Sequence, residues 1–294
     1  MTMTESRIST VQCISPGGLH RMAYKEWGDV DNPKVLVCVH GVTRVSDDFD
    51  NMARALCQSH RVICPDIVGR GRSEKLRNAL YYQIPQYVSD MVTLLARITA
   101  QPAVAAVDWF GTSMGGLIGI GLAALPDNPI GKLILNDIGP ALNRDALLRI
   151  GDYIGQPARF QTFDEAARYI REISAPFGPH ADEEWRKLAS DVLRLGQDGW
   201  WTRHYDPALA AAFKLVTPDS LEAAEAQLWT AYDAISCPTL LVRGAESDLL
   251  SHQTAQAMTQ RGPKAQLVEL PGVGHAPTFM HADQIRIAQD FLAG

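Results

Sequence analysis

The sequence predicts an α/β fold in which a mostly parallel sheet has helices on both faces. Short apolar runs rich in β-branched residues alternate with longer amphipathic stretches along the 294 residues. This pattern is typical of strands that are buried on both faces and joined by helices. The runs stop near residue 137 and resume only at residue 239. We therefore predict that the segment between these positions is inserted into the fold and does not join the sheet.

Eight segments are predicted to form strands of one sheet. The first two, 8–14 and 20–27, are expected to pair as a hairpin or edge pair. The other six follow at 35–39, 61–64, 104–110, 132–135, 239–242 and 265–270. Helices are predicted between and after them at 47–57, 85–99, 114–125, 251–260 and 282–292. The result is an eight-stranded α/β sheet.

The interruption of the strand pattern covers about 100 residues, which is too long for a structureless loop. Amphipathic pieces predict helices at 164–173, 183–195, 207–215 and 220–232, and the segment holds 12 of the chain's 22 aromatic residues. We predict a helical cap at 140–235 on a core formed by 1–139 and 236–294. Most of the aromatic side chains are expected to fill the interior of the cap, while others line an apolar pocket.

Charge and cysteine usage exclude several classes of protein. There are 27 Lys+Arg against 33 Asp+Glu, a net charge of −6, which argues against a general nucleic-acid binder. Five cysteines without a CxxC pair indicate neither a zinc knuckle nor a redox dithiol, and they fit a reducing, cytoplasmic compartment. The N-terminus is polar, and no apolar stretch approaches the roughly 20 residues of a membrane span. We predict a soluble cytoplasmic protein with no membrane partner, and we make no prediction of its oligomeric state.

The strongest chemical signal is a G-x-S-x-G pattern, Gly111-Thr112-Ser113-Met114-Gly115, between a predicted strand and a predicted helix. A sharp strand-to-helix turn holds a serine hydroxyl clear of the backbone, and small neighbours are needed because the turn is crowded. The N-terminus of the following helix faces the place where an oxyanion would form. The pattern therefore predicts that Ser113 is a nucleophile.

A serine nucleophile needs a base, and the base needs an orienting carboxylate. In this type of fold they follow in the order Ser, Asp, His. Asp248 and His275 each follow a predicted strand, at the sheet edge where open α/β sheets bind ligands. Asp137, directly after the strand 132–135, is the alternative acid. We favour Asp248 and expect Asp137 to have a structural role.

These motifs resemble those of the α/β-hydrolase family, in particular serine esterase-like members with a helical cap, from about Lys34 to the C-terminus. The motifs that carry the resemblance are, in chain order, His40-Gly41, Asp66-Ile67-Val68-Gly69-Arg70-Gly71-Arg72-Ser73, the Ser113 turn, Asp248 and His275. The resemblance implies that Ser113 is the nucleophile, His275 the general base and then acid, and Asp248 the orienting acid. It also implies an oxyanion hole built from the backbone N–H groups of Val42 and Met114.

Other residues near these motifs are given structural interpretations. His40 is expected to shape the loop that carries Val42, and the loop after Asp66 is interpreted as a turn. Arg44 could meet a substrate carboxylate or pair with an acid, and we favour pairing. The remaining six histidines are expected at the surface: His20, His60, His180, His204, His252 and His281.

No cofactor or metal is predicted. A dinucleotide-like pattern from Gly119 to Ala124 falls inside a predicted helix, and the glycines at 69–71 do not have the spacing of a P-loop. The sequence contains no H-E-x-x-H pattern. Relatives that dehalogenate or open epoxides usually carry aspartate at the turn, where this chain has Ser113.

The predicted function is hydrolysis of small to medium apolar carboxylic esters through an acyl-enzyme on Ser113, with a small-molecule ester as the expected partner. A carbon–carbon bond hydrolase acting on a diketone-like compound, a lactonase and a cofactor-free perhydrolase remain alternatives, because the same three residues serve them. A ligand-binding receptor that keeps the hydrolase fold is the alternative from another class.

Overall fold

A computed structural model describes residues 5–156, 158–214 and 217–294. Its main sheet has eight strands, as the sequence predicts. They are β1 (Arg7–Ser15), β2 (Gly18–Trp27), β3 (Val35–Val39), β4 (Arg61–Pro65), β5 (Val107–Thr112), β6 (Ile130–Asn136), β10 (Thr239–Gly244) and β11 (Gln266–Leu270). Their order across the sheet is β1-β2-β4-β3-β5-β6-β10-β11. The pairs β1–β2 and β2–β4 are antiparallel and the remaining pairs are parallel.

Five helices accompany this sheet: α1 (Asp50–Leu56), α2 (Ile84–Thr99), α3 (Met114–Ala123), α9 (His252–Met258) and α10 (Ala282–Ala293). Successive residues of β3 alternate between two apolar clusters, because neighbouring side chains of a strand point to opposite faces. Val37 packs in the cluster that includes residues of α2, α3 and α9. Cys38 packs in the cluster that includes residues of α1 and α10. The sheet is therefore covered on both faces.

The chain between β6 and β10 contributes no strand to the main sheet in its described part. It forms α4 (Arg144–Gly155), β7 (Arg159–Phe160), α5 (Phe163–Ile173), α6 (Asp182–Val192), β8 (Leu193–Leu195), β9 (Trp201–Arg203), α7 (Ala210–Lys214) and α8 (Pro218–Ala234). β7, β9 and β8 form a small antiparallel sheet that the sequence analysis missed. Strands of two or three residues are too short for a periodic signal. Residue 215, at the end of a predicted helix, lies outside the described residues.

Element boundaries differ from prediction by a few residues. β5 begins at Val107 and not at residue 104, because Val104 closes a turn through its N–H on the Gln101 carbonyl. The predicted helix 183–195 ends at Val192, where the chain enters β8. In the described ranges, no helix has both the length and the apolar character needed to cross a membrane.

Candidate active site

Ser113 occupies a strained turn between β5 and α3. Its φ of 51° and ψ of −115° lie in a region that non-glycine residues rarely adopt. Its N–H donates to the Asn136 carbonyl at 3.0 Å, and its own carbonyl accepts from the N–H groups of Gly116 and Leu117. These bonds hold the turn to β6 on one side and to α3 on the other. The serine side chain consequently borders open space at the end of the sheet.

The glycines on either side of Ser113 are required by close backbone approach. A Cβ on Gly111 would lie 2.3 Å from the Gly115 carbonyl oxygen, and a Cβ on Gly115 would lie 2.1 Å from the Val39 carbonyl oxygen. Neither neighbour is the end of a flexible side chain, so a larger residue would force the backbone apart. The glycines thus let α3 start directly against β3 and β5.

His275 lies between β11 and α10 and bridges two side chains. Its Nε2 is 2.9 Å from the Ser113 Oγ, and its Nδ1 is 2.7 Å from the Asp137 Oδ2. Because the Asp137 carboxylate can only accept a hydrogen bond, Nδ1 carries the proton and donates it in that bond, which leaves Nε2 as the acceptor for the serine hydroxyl. The imidazole is therefore oriented for proton transfer from Ser113.

Asp137, and not Asp248, is the carboxylate that contacts His275. It follows β6 and is fully buried. Its Oδ1 accepts the Gly244 N–H at 2.9 Å, and its Oδ2 accepts the Ser247 hydroxyl at 2.6 Å as well as His275. One donor from the last residue of β10 and one from the loop after it therefore fix the carboxylate beneath the imidazole ring.

The prediction that Asp248 orients His275 is wrong. The Asp248 side chain is 45% exposed and forms an ion pair with Arg149. The loop after β10 does reach the site, but it does so through Ser247, which donates its hydroxyl to Asp137. The sequence signal for the observed acid was present as the alternative: an aspartate immediately after the strand next to the serine turn.

The backbone N–H groups of Val42 and Met114 are available on the two sides of Ser113. In the described chain, neither of them donates to another protein atom. Met114 is the first residue of α3, so its N–H has no acceptor within the helix. Both residues line a cavity together with Ser113. This arrangement fits the oxyanion hole expected from the sequence, whose role stays a prediction.

His40 fixes the loop that carries Val42. Its Nε2 accepts the Ile67 N–H at 3.0 Å, so its Nδ1 carries the proton and donates to the Gly41 carbonyl at 2.7 Å. Complete burial lowers the pKa of His40 to about 4. A neutral imidazole thus links the loop that carries Val42 to the loop after β4. This agrees with the structural role that the sequence predicts for His40.

Arg70 is a functional candidate that the sequence analysis missed. Its guanidinium group donates to the Val42 carbonyl at 2.9 Å, to the Val68 carbonyl at 2.8 Å and to the Met114 Sδ at 3.3 Å. It is 1% exposed and, among the described residues, its hydrogen-bond acceptors are two carbonyls and a sulfur and include no carboxylate. One buried cation therefore contacts both residues of the expected oxyanion hole. The position of Arg70 in the loop 66–73 is evident from the sequence, but the direction in which its side chain points is not.

Two cavities of about 450 Å³ each meet at Ser113. Val42, Ser113 and Ile150 line both of them. The arginine-lined cavity also has Arg44, Arg149, Arg203, Tyr153, Phe177, Tyr205 and His275 in its wall. The leucine-lined cavity has Leu117, Leu142, Leu147, Leu209, Leu221, Leu249, Phe213, Met114 and Arg70 in its wall. Volumes of this size are typical of small-molecule sites.

Eight of the twelve aromatic residues between β6 and β10 belong either to these cavities or to a separate cluster. Tyr153, Phe177, Tyr205 and Phe213 line the cavities. Phe160, Phe163, Tyr169 and Trp201 pack against one another and against buried residues of α5 and α6. Arg44 forms the acid pair that the sequence analysis favoured, with both oxygens of Asp48 at 2.6 and 2.7 Å.

One group of side chains in the described residues has the composition of a metal site. Cys13, His20 and Asp90 place their donor atoms within 4.8 Å of one another. His20 Nε2 is already 2.9 Å from Asp90 Oδ2, and none of the three lines either cavity at Ser113. His20 is buried, so its expected surface position is wrong; its side chain packs between the first hairpin and α2.

Comparisons with known proteins identify the family of this chain. Residues 36–287 match the model of the Alpha/beta hydrolase family. The chain belongs to the α/β-hydrolase family. It is 56% identical over 291 residues to a 3-hydroxybutyrate-oligomer hydrolase from Cupriavidus necator, with 98% of each chain covered. It is also 26% identical to the esterase YbfF of Escherichia coli, with 86% of this chain and 89% of that one covered.

A solved structure is similar over nearly the whole chain. An α/β hydrolase from Novosphingobium aromaticivorans is 34% identical, with a TM-score of 0.84 and coverage of 98% of this chain and 99% of that one. Family membership and the hydrolase relatives together make this chain a hydrolase acting on ester bonds. The prediction of an ester-cleaving enzyme on this fold is confirmed.

Proposed function

We propose that this protein hydrolyses short oligomers of 3-hydroxybutyrate through an acyl-enzyme on Ser113. The observation that carries the mechanism is the hydrogen-bonded series Ser113–His275–Asp137 at the junction of two cavities. The substrate is inferred from the relative that is 56% identical over 98% of its length. Such oligomers are carboxylic esters, which agrees with the ester class predicted from the sequence.

In the first half of the proposed reaction, His275 Nε2 takes the proton of Ser113 as its Oγ bonds to the ester carbonyl carbon. Asp137 stabilises the imidazolium that forms and keeps its Nδ1 protonated. The N–H groups of Val42 and Met114 donate hydrogen bonds to the carbonyl oxygen as it becomes negatively charged. His275 then gives its proton to the leaving alkoxide as the carbon–oxygen bond breaks, and the acyl group stays on Ser113.

In the second half, water takes the place of the alcohol. His275 accepts a proton from the water as it attacks the acyl carbon, and returns that proton to Ser113 as the acid is released. Each half uses the same base and the same oxyanion donors. The reaction needs no further group from the protein, and the segment between β6 and β10, which we propose is a cap over the site, supplies cavity walls.

The test compares the purified wild type with Ser113→Ala on 3-hydroxybutyrate dimer and trimer and on p-nitrophenyl butyrate. Ser190→Ala, at an exposed serine of α6, is the matched control. We expect turnover of the oligomers by the wild type and the control, and a loss of at least about 10³ in kcat for Ser113→Ala.

Two outcomes contradict separate parts of the proposal. Full activity of Ser113→Ala would remove the serine mechanism. Turnover of p-nitrophenyl butyrate without turnover of the oligomers would leave an esterase with a different substrate.

A further inference from the structure

The arginine-lined cavity contains three guanidinium groups that the proposed reaction steps do not use. They belong to Arg44 after β3, Arg149 on α4 and Arg203 at the end of β9. Arg44 starts close to the nucleophile: a Cβ built on Gly41 would lie 3.7 Å from both the Arg44 Cγ and the Ser113 Cβ. Positive charge therefore lies in the same cavity as the reacting residues.

Two of these arginines are held in place by the protein. Arg44 is buried, is bound by both oxygens of Asp48 and also donates to the Leu188 carbonyl at 3.1 Å. Arg203 is also buried, and its guanidinium donates to three carbonyls at the end of α4, those of Tyr153, Ile154 and Gln156. Neither side chain can move without losing several hydrogen bonds.

Arg149 differs from both because it can reorient. Its side chain is 55% exposed, and a single ion pair with Asp248 is the one polar contact that the described residues provide. An exposed ion pair of this kind contributes little to stability, so exchanging one carboxylate for another is inexpensive. Arg149 is consequently the guanidinium most able to bind a substrate anion.

The acidic side chains in the same cavity offset the charge of Arg44 but not that of Arg203. Asp48 is paired with Arg44, whereas Asp152 and Glu172 are exposed to solvent. Arg203 is 8% exposed and has no carboxylate partner among the described residues. A buried, unpaired cation acts more strongly on a bound ligand than exposed acids, which water screens.

The charges of the three guanidinium groups all influence the pKa of Tyr153. Burial raises the pKa of Tyr153, while a hydrogen bond with Thr43 and the charges of Arg44, Arg203 and Arg149 oppose that rise. All of these residues line the cavity. An anion near the Tyr153 hydroxyl would therefore meet the unpaired charge of Arg203, the exchangeable charge of Arg149 and a hydrogen-bond donor.

The chemistry of the reaction independently places the leaving alcohol in this cavity. His275 must protonate the leaving oxygen, and His275 lines the arginine-lined cavity but not the leucine-lined one. In a 3-hydroxybutyrate oligomer the free carboxylate belongs to the alcohol side of every ester bond. The only charged end of the substrate therefore lies on the side of the arginines.

We propose that the arginine-lined cavity is the subsite for the leaving alcohol and that Arg149, supported by Arg44 and Arg203, binds its free carboxylate. The acyl part then occupies the leucine-lined cavity. This assignment rests on the proposed function, and it makes Asp248 a competitor for Arg149 that the substrate carboxylate displaces.

The experiment measures kcat/KM for 3-hydroxybutyrate dimer and for the same dimer with its terminal carboxylate replaced by a carboxamide. The quantity of interest is the ratio of the acid to the amide. Four proteins are compared: the wild type, Arg149→Gln, Asp248→Asn and the control Arg171→Gln. Arg171 has a side chain that is 53% exposed and an ion pair with Asp182, so it matches Arg149 in exposure and pairing but lies outside both cavities.

We expect the wild type to prefer the acid by about tenfold or more, the effect of one charge-assisted hydrogen bond. Arg149→Gln should remove most of this preference, Asp248→Asn should increase it, and Arg171→Gln should leave it unchanged. An acid-to-amide ratio near one in the wild type, or one that neither Arg149→Gln nor Asp248→Asn changes, overturns the assignment. Failure of the wild type to hydrolyse either dimer is a different result, which refutes the proposed function itself.

Discussion

The Oδ2 atom of Asp137 lies 2.7 Å from the Nδ1 atom of His275, although 138 positions separate the two residues in the chain. Asp137 directly follows β6 and His275 follows β11, with β10 between these strands in the sheet. The carboxylate is held for this contact by two donors, the N–H of Gly244 at the end of β10 and the hydroxyl of Ser247 in the loop after it. Three strand ends therefore build the acid–base pair.

Asp137→Asn and Asp248→Asn should have very different effects on turnover. The first change removes the charge that orients His275, and kcat should fall by about 10³–10⁴. The second change breaks an exposed ion pair, and kcat on p-nitrophenyl butyrate should change by less than about threefold. Steady-state kinetics of both variants on that ester make the comparison. A larger loss in Asp248→Asn would restore the assignment made from sequence.

Arg70→Met should lower kcat on p-nitrophenyl butyrate about tenfold to a hundredfold with little change in KM. Loss of an oxyanion donor outright typically costs about 10²–10³, and Arg70 holds the donors without being one. Affinity for a trifluoromethyl ketone, which forms an oxyanion on the serine, should fall in parallel, and Arg70→Lys should recover part of the loss. If Arg70→Met lowers the melting temperature but leaves kcat and the ketone affinity intact, Arg70 serves only the core.

Gly115→Ala should destabilise the fold, whereas Gly121→Ala in the same helix should not. The new methyl group would lie 2.1 Å from the Val39 carbonyl oxygen in the first variant and 3.1 Å from the terminal Val88 Cγ2 methyl in the second. We expect a loss of about 2 kcal/mol or more for Gly115→Ala and a change within about 1 kcal/mol for Gly121→Ala. Urea unfolding of both variants measures the free energies. Equal stabilities would mean that the turn has more room than its geometry indicates.

The burial of His40 should make the protein sensitive to acid. The pKa of His40 is about 4 in the folded protein against an ordinary value of 6.5, so between these values the unfolded chain binds the proton more readily. Stability should therefore fall as the pH drops from about 6.5 to about 4, by about 3 kcal/mol from this residue. In urea unfolding at a series of pH values, the free energy of unfolding should change less steeply with pH for His40→Gln than for the wild type over that window. The same pH dependence of the free energy of unfolding in both proteins would exclude His40 as the source of the acid sensitivity.

Most of the fold could be predicted because its strands are continuous apolar runs. The bounds of β3 follow from the sequence residue for residue, and local patterns at the ends of β5 and β11 single out Ser113 and His275, which the structure brings together. The acid could not be decided in this way. Both Asp137 and Asp248 follow parallel strands, and their difference depends on which side chain of each loop points to His275.

Features that depend on contacts distant in sequence were missed. The small sheet of β7, β8 and β9 has strands too short for a pattern. The sequence indicates only that Arg70 belongs to a turn. The fold brings its side chain to the carbonyl of Val42, 28 residues away. His20 gives no local sign that Asp90 will bury and bind it.

The presence of His275 in only one of the two cavities has a consequence for what can accept the acyl group. In the proposed reaction, the nucleophile that releases the acid must lie beside His275, so it enters through the arginine-lined cavity after the alcohol has left. Water and a second hydroxyl compound would therefore compete for the same position beside His275. A small alcohol held there would be acylated in place of water, and the enzyme would then exchange esters rather than hydrolyse them. The relative occupancy of that cavity by water and by an alcohol in the acyl-enzyme would thus set the balance between hydrolysing the oligomers and exchanging their esters.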